Sequence, residues 1–167
     1  MIRAAVLAAA FASIGGAGAG AGTLEGRLVT FSSRVWGDTG FPDDEAHGKT
    51  VMVGEGVEFG LEPEEISGGL VVVPVQVEIK PQRVELTYPL GSGNFYTAPF
   101  NGYELRFETE CALFAGWTLD RDFTTMPIKP EDIFTEKGAL FINVSGMSYG
   151  PDARLAIDLD VTDCPLS

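Results

Sequence analysis

The sequence is poor in histidine, cysteine and basic side chains and has no long helical period, and each scarcity narrows what the chain can do. His47 is the sole imidazole, set in a loop rich in glycine and acids. Zinc sites usually gather several His or Cys ligands, and a Ser-His-Asp site would have to recruit this one residue, so it reads as a surface histidine. Eleven Lys and Arg face twenty-four Asp and Glu, a net charge of −13. With no Lys/Arg cluster to offset it, such a surface repels phosphate backbones and anionic lipid heads, which excludes nucleic acid and bilayer surfaces as partners.

What is present begins with a leader. Met1-Ile2-Arg3 precedes an apolar run from Ala4 to Ile14, followed by only Gly and Ala as far as Gly22. One base, a short apolar core and the small triplets Ala17-Gly18-Ala19 and Ala19-Gly20-Ala21 form the three regions of a cleavable secretory signal over residues 1–21. The apolar run is short for a membrane span. Loss of Arg3 with the leader leaves ten basic against twenty-four acidic side chains, a net charge of −14. Residues 22–167 then form one domain, with no internal repeat, low-complexity stretch or long polar linker. In a secreted or periplasmic protein the two cysteines, Cys111 and Cys164, are expected to pair.

The rest of the chain reads as short strands. Leu155, Ile157, Leu159 and Val161 alternate with Arg154, Ala156, Asp158 and Asp160, the two-residue period of a strand with one buried face. Leu140, Ile142 and Val144 make a second inward row, and the Gly/Pro-punctuated loop Ser145–Asp152 suggests that these two runs pair directly. Further strands are expected at Gly26–Ser33, Arg83–Tyr88, Tyr103–Glu108 and Cys111–Leu119. Lys49–Val53 and Val57–Gly60 read as a hairpin across Gly54-Glu55-Gly56. Leu70–Ile79 is the longest apolar run, with a bulge or edge position expected at Pro74; a helical turn is expected after Pro63 and another at Pro130. Thr124–Lys137 otherwise reads as irregular. About nine strands with regular turn signals predict an all-β antiparallel sandwich, jelly-roll-like or Ig-like, with a small barrel as the alternative.

The residues that bear on function are few. Trp36, Phe95, Tyr96, Phe100 and Tyr103 lie near loop tips where aromatic rings can stack on a sugar or fill a partner's pocket; equally, they can cap the sandwich. Asp38, Asp43, Asp44 and Glu45 in one loop, and Asp120 and Asp122 in another, offer the oxygens that calcium takes, against the alternative of solvated loop charge. Asp158 and Asp160 are close enough in sequence for a two-carboxylate hydrolase, yet they alternate with the apolar row, where acids keep a sheet face wet. Asn143-Val144-Ser145 matches a glycosylation sequon inside a predicted strand.

Taken together, Thr50–Phe59, Ala98-Pro99-Phe100-Asn101-Gly102-Tyr103 and Asn143–Tyr149 resemble a loose group of secreted bacterial β-sandwich domains often found in proteins with a PEP-CTERM sorting tail. The resemblance implies a β-sandwich and no catalytic residues. This chain ends in Cys164-Pro165-Leu166-Ser167, without the apolar anchor and basic cluster of that tail. The expectation is therefore a non-enzymatic binding module for an unknown protein or glycan partner. It needs no cofactor, with calcium the one candidate ion; carbohydrate binding and a carboxylate-based hydrolase are the other readings. Closing the Cys111–Cys164 loop should stabilise the fold by roughly 4 kcal/mol. Reduction should accordingly lower the melting temperature by on the order of 10 °C; an unchanged melt would mean that the cysteines are unpaired.

Overall fold

The computed structural model describes residues 22–37, 48–60 and 73–166. Among them are twelve strands, one 3-10 turn and no α-helix. In chain order the strands are β1 (Leu28–Trp36), β2 (Lys49–Met52), β3 (Val57–Phe59), β4 (Gln76–Lys80), β5 (Arg83–Thr87), β6 (Gly93–Asn94), β7 (Phe100–Phe107), β8 (Phe114–Leu119), β9 (Ile133–Glu136), β10 (Ala139–Asn143), β11 (Ser148–Tyr149) and β12 (Arg154–Val161). The first sheet runs β2-β1-β7-β10-β9, the second β3-β4-β5-β12-β8, and β6 pairs with β11 in a small ribbon. All registered pairs are antiparallel. The architecture is the expected antiparallel β-sandwich.

Period-two alternation builds the core. Val29 and Phe31 of β1, Tyr103, Leu105 and Phe107 of β7, and Leu140 and Ile142 of β10 point inward from the first sheet. Val77 and Ile79, Val84 and Leu86, and Leu155, Ile157, Leu159 and Val161 meet them from the second. Phe31 stacks on Phe59 with ring centroids 5.2 Å apart, and on Tyr103 at 5.3 Å. The disulfide joins Cys111, between β7 and β8, to Cys164 beyond β12. Arg27, 4% exposed, donates from Nη2 to the Cys164 carbonyl (2.6 Å) and from Nε to the Thr23 carbonyl (2.7 Å), tying the start of the domain to its end.

Two expected pairings are replaced by crossings between sheets. β2 and β3 are not a hairpin: β2 pairs with β1 in one sheet and β3 with β4 in the other. The chain crosses because Val53 is buried and locked to the β1 entry, donating to the Arg27 carbonyl and accepting from Gly26 N–H. Beyond it, the Glu58 carboxylate accepts from Gly54 N–H (3.1 Å) and Ile79 N–H (2.7 Å), which holds β3 against β4. The β10 and β12 runs are likewise not a pair. β10 lies between β7 and β9, and β12 between β5 and β8, so their apolar rows face each other across the core rather than sharing one sheet.

Smaller differences follow local chemistry. Strand β4 starts at Gln76, two residues after Pro74, so the proline precedes the ladder to which it cannot donate and makes no bulge within it. The stretch read as irregular contains β9, and the loop after β10 contains β11. Pro130–Asp132 does form a single turn, of the 3-10 type, closed by Lys129 N–H donating to Asp132 Oδ2 at 2.9 Å. The leader and the turn expected after Pro63 lie outside the described residues.

Two of the four tyrosines, Tyr88 and Tyr103, are buried in the core, and desolvation pushes both phenols above their ordinary value. Unfolded phenols ionise near pH ~10. The fold holds these two neutral, so their contribution is fully present below that pH and is lost as pH rises above it. Urea unfolding in the alkaline range should show stability falling with pH, with tyrosinate absorbance from these rings appearing in the unfolding step. In the Tyr88→Phe, Tyr103→Phe double variant the slope should flatten; an unchanged slope would refute the assignment.

Candidate functional site on the outer face of the first sheet

Because Tyr103, Leu105 and Phe107 fill the core, Phe100, Gly102, Glu104 and Arg106 point out of the sandwich. The register sets Trp36 opposite Phe100, Arg34 opposite Gly102 and Ser32 opposite Glu104 on β1. On the other flank Phe141 lies opposite Glu104, and Phe134 of β9 opposite Phe141. Four rings therefore gather on one outer face. Trp36 and Phe100 stack at 3.6 Å between centroids and 1° between planes, and Phe134 and Phe141 at 4.7 Å and 10°. Edge contacts of 6.1 Å link Trp36 to Phe141 and Phe100 to Phe134.

This cluster is separate from the main core: Phe100, Ala139 and Phe141 are buried, Trp36 is partly buried, and Phe134 is 39% exposed at the sheet edge. At the opposite edge Met52, opposite Leu28, is 65% exposed. Gly102 lets the strands close here, since a Cβ at that position would lie 1.9 Å from the Ile142 carbonyl oxygen.

Beside the rings sits Glu104, 1% exposed, with Arg34 Nε 2.5 Å from Oε2 and Arg106 Nη2 against Oε1. Two guanidinium groups thus flank one carboxylate. They differ in setting, because the Arg34 side chain is 29% exposed and that of Arg106 54%.

The second sheet presents a different outer face. Arg83 reaches Glu85 (2.6 Å), Asp120 (2.7 Å) and Asp158 (2.7 Å), and Lys80 reaches Glu85 (2.8 Å). Arg83 and Arg154 also lie over the Phe123 ring, at 5.3 and 5.2 Å. Hydrogen bonds from Arg83 and from the backbone of Phe123 and Asp122 hold the Asp120 carboxyl below its usual range. Glu85 is lowered too: burial alone would raise it, and its bonds to Lys80 and Arg83 outweigh that.

The sequence-predicted residues distribute as follows. Trp36 and Phe100 come together on the first outer face, whereas Phe95 and Tyr103 meet in the core at 6.2 Å and Tyr96 stands 59% exposed in a loop. Asp120 is taken up by Arg83 and by the turn N–H groups of Asp122 and Phe123. Asp38, Asp43, Asp44, Glu45 and His47 lie outside the described residues. Among those described, no three His, Cys, Asp or Glu side chains gather in a way that would hold a metal ion. Asp158 is bound to Arg83, and Asp160 points outward beside Gly116. Asn143 is engaged in the fold, its Oδ1 accepting from the backbone N–H of Asn101 and Ser145.

Sequence reasoning missed Phe134, Phe141 and the Arg34–Glu104–Arg106 group. The strands on either side of Glu104 and Arg106, β1 and β10, were legible as strands; that both pair with β7, and that β9 follows β10, was not. It also passed over Gly146-Met147-Ser148-Tyr149-Gly150, which spells the Gly-x-Ser-x-Gly of a nucleophile elbow. Here Ser148 belongs to the two-residue β11 instead of a strand-to-helix turn, and its hydroxyl bonds Asn94 Oδ1 at 2.7 Å.

Comparison with protein-family models, curated proteins and solved structures returns no match for this chain. No helix among the described residues is long and apolar enough to cross a membrane.

Arg34, the less exposed guanidinium, should carry more of the burden of holding Glu104. Arg34→Met should cost about 2–3 kcal/mol and Arg106→Met less than ~1 kcal/mol in urea unfolding. Equal losses would mean that the two arginines share the carboxylate evenly.

Proposed function

We propose that this chain is a secreted or periplasmic, non-enzymatic interaction module that binds a partner protein through the outer face of its first sheet. The observation that carries this reading is the contrast between the two outer faces. The second sheet shows interlocked charge, the ordinary dress of a solvated surface. The first shows Trp36, Phe134, Met52, Arg34 and Arg106, the residue types enriched at the centres of protein interfaces. Strand β9 adds an edge beside Phe134. The Cys111–Cys164 disulfide fits an oxidising compartment. The leader composition and the likeness to secreted bacterial sandwich domains support export.

Carbohydrate binding is the second reading, favoured by the exposed Phe134 ring, which continues a stacked aromatic platform on which a sugar can lie. Crosslinking of the native protein in its secreted and periplasmic fractions, followed by mass spectrometry, separates the two. A reproducible protein partner should be captured, and Phe134→Asp should weaken its binding by about 30-fold, the scale of an aromatic hot spot, when measured well below the variant's own melting temperature. Capture unaffected by Phe134→Asp and Arg106→Glu would reject this face. Monomer alone, together with polysaccharide retention that Phe134→Ala abolishes, would favour the glycan reading.

A further inference from the structure

The edge of a sheet exposes unpaired backbone groups, and folds guard such edges with charge, bulges or brevity. Of the four edge strands of the two large sheets, β2 carries Lys49, β3 has only three residues and a shifted register, and β9 ends on Glu136 with Lys137 next. β8 differs. Its six residues, Phe-Ala-Gly-Trp-Thr-Leu, contain neither charge nor proline, and among the described residues only β12 pairs with it. That ladder is regular from Gly116 to Leu119, and its register shift falls beyond Gly116, toward Phe114. Hydrogen bonds alternate along an antiparallel pair. Asp120 N–H donates to the Ala156 carbonyl at 3.1 Å and Leu159 N–H to the Gln82 carbonyl at 2.8 Å, so Ala156, Asp158 and Asp160 face β8 and bond Asp120, Thr118 and Gly116. Trp117 and Leu119 therefore direct their N–H and C=O groups off the sheet.

The outer face beside this edge offers a carboxylate. Asp158 is held by Arg83, whereas Asp160, opposite Gly116, is exposed and has no ion-pair partner among the described residues. A Cβ on Gly116 would meet nothing within 4 Å, so the ground between the edge and Asp160 is open. We propose that the β8 edge takes an extended basic segment of a partner protein as a sixth strand of the second sheet, a surface separate from the outer face of the first. The free N–H and C=O groups of Trp117 and Leu119 bond the added backbone. Its inward apolar side chains continue the row of Leu119, in the core, and Trp117, packed against it. Its Lys or Arg opposite Gly116 crosses the glycine to Asp160, two strand spacings or roughly 10 Å away, a span that a long basic side chain and an aspartate close together. The charge of the chain, −13, selects a basic occupant, since a second copy would bring the same acidic charge to the seam.

The probe is the end-blocked peptide Thr-Val-Lys-Val-Lys-Val-Lys-Val-Thr, titrated into the folded protein while NMR follows hydrogen exchange of the β8 amides. Saturable binding should slow exchange at Trp117 and Leu119 and leave Gly116 and Thr118, already bonded to β12, little changed. Backbone N-methylation of the probe's valines, which lie opposite Trp117 and Leu119, should abolish binding, and N-methylation of its lysines should not. Asp160→Asn, and Gly116→Gln, which fills the ground before that carboxylate, should each weaken binding by about 5-fold, the scale of one exposed ion pair. No saturable binding, binding indifferent to valine methylation, or equal binding of the peptide with Glu in place of Lys would overturn the proposal. Protection of Trp117 and Leu119 that rises with protein concentration in the absence of peptide would make the occupant a second copy and overturn the basic partner.

Discussion

The apolar seam between the two sheets is the interaction on which the rest of the molecule depends. Phe31, Tyr103, Leu105, Leu140 and Ile142 from one side and Phe59, Val77, Leu86, Leu155 and Ile157 from the other are each at most 2% exposed. At roughly 1.5–3 kcal/mol for each large apolar side chain removed from water, no polar feature of the fold approaches this in total. The seam explains why the chain crosses between sheets where local reading expects a hairpin. Placing β2 with β1 and β3 with β4 lets Val53 and Phe59 both enter the interior.

The ends of the domain are then secured by groups that the seam alone would not order. Arg27 is buried among carbonyl oxygens of Thr23 and Cys164, and the disulfide fixes Cys164 to the β7–β8 connection. A guanidinium in such a place must have its donors satisfied, since an unpaired buried charge is costly. Those donors find partners only when both termini of the domain are in position. The entry strand, the last strand and the disulfide are therefore coupled parts of one closure.

The two outer faces show how one fold divides its surface. On the second sheet, Arg83 and Lys80 pair with Glu85, Asp120 and Asp158 at hydrogen-bond distance, a web of neutralised charge that suits contact with water. On the first, a satellite aromatic cluster and a buried carboxylate between two arginines replace that pattern. In a chain of net charge −13, two guanidinium groups around a single carboxylate make a local exception, and it adjoins the exposed ring of Phe134.

The sequence by itself determined the fold class, the inward rows of β10 and β12, and the pairing of its two cysteines. Alternation with period two reports which side of a strand is buried, and two cysteines in one chain have one intramolecular choice. Only the tertiary structure decided which sheet each strand joins, that Phe95 and Tyr103 are core while Trp36 and Phe100 are not, and that Phe134 and Phe141 complete their cluster. A strand's neighbours are set by hydrogen bonds to residues distant in sequence, as when Glu104 lies between Ser32 and Phe141. Nothing in the local pattern of either partner encodes that meeting; it arises when the apolar rows find each other and carry their outward-facing neighbours with them.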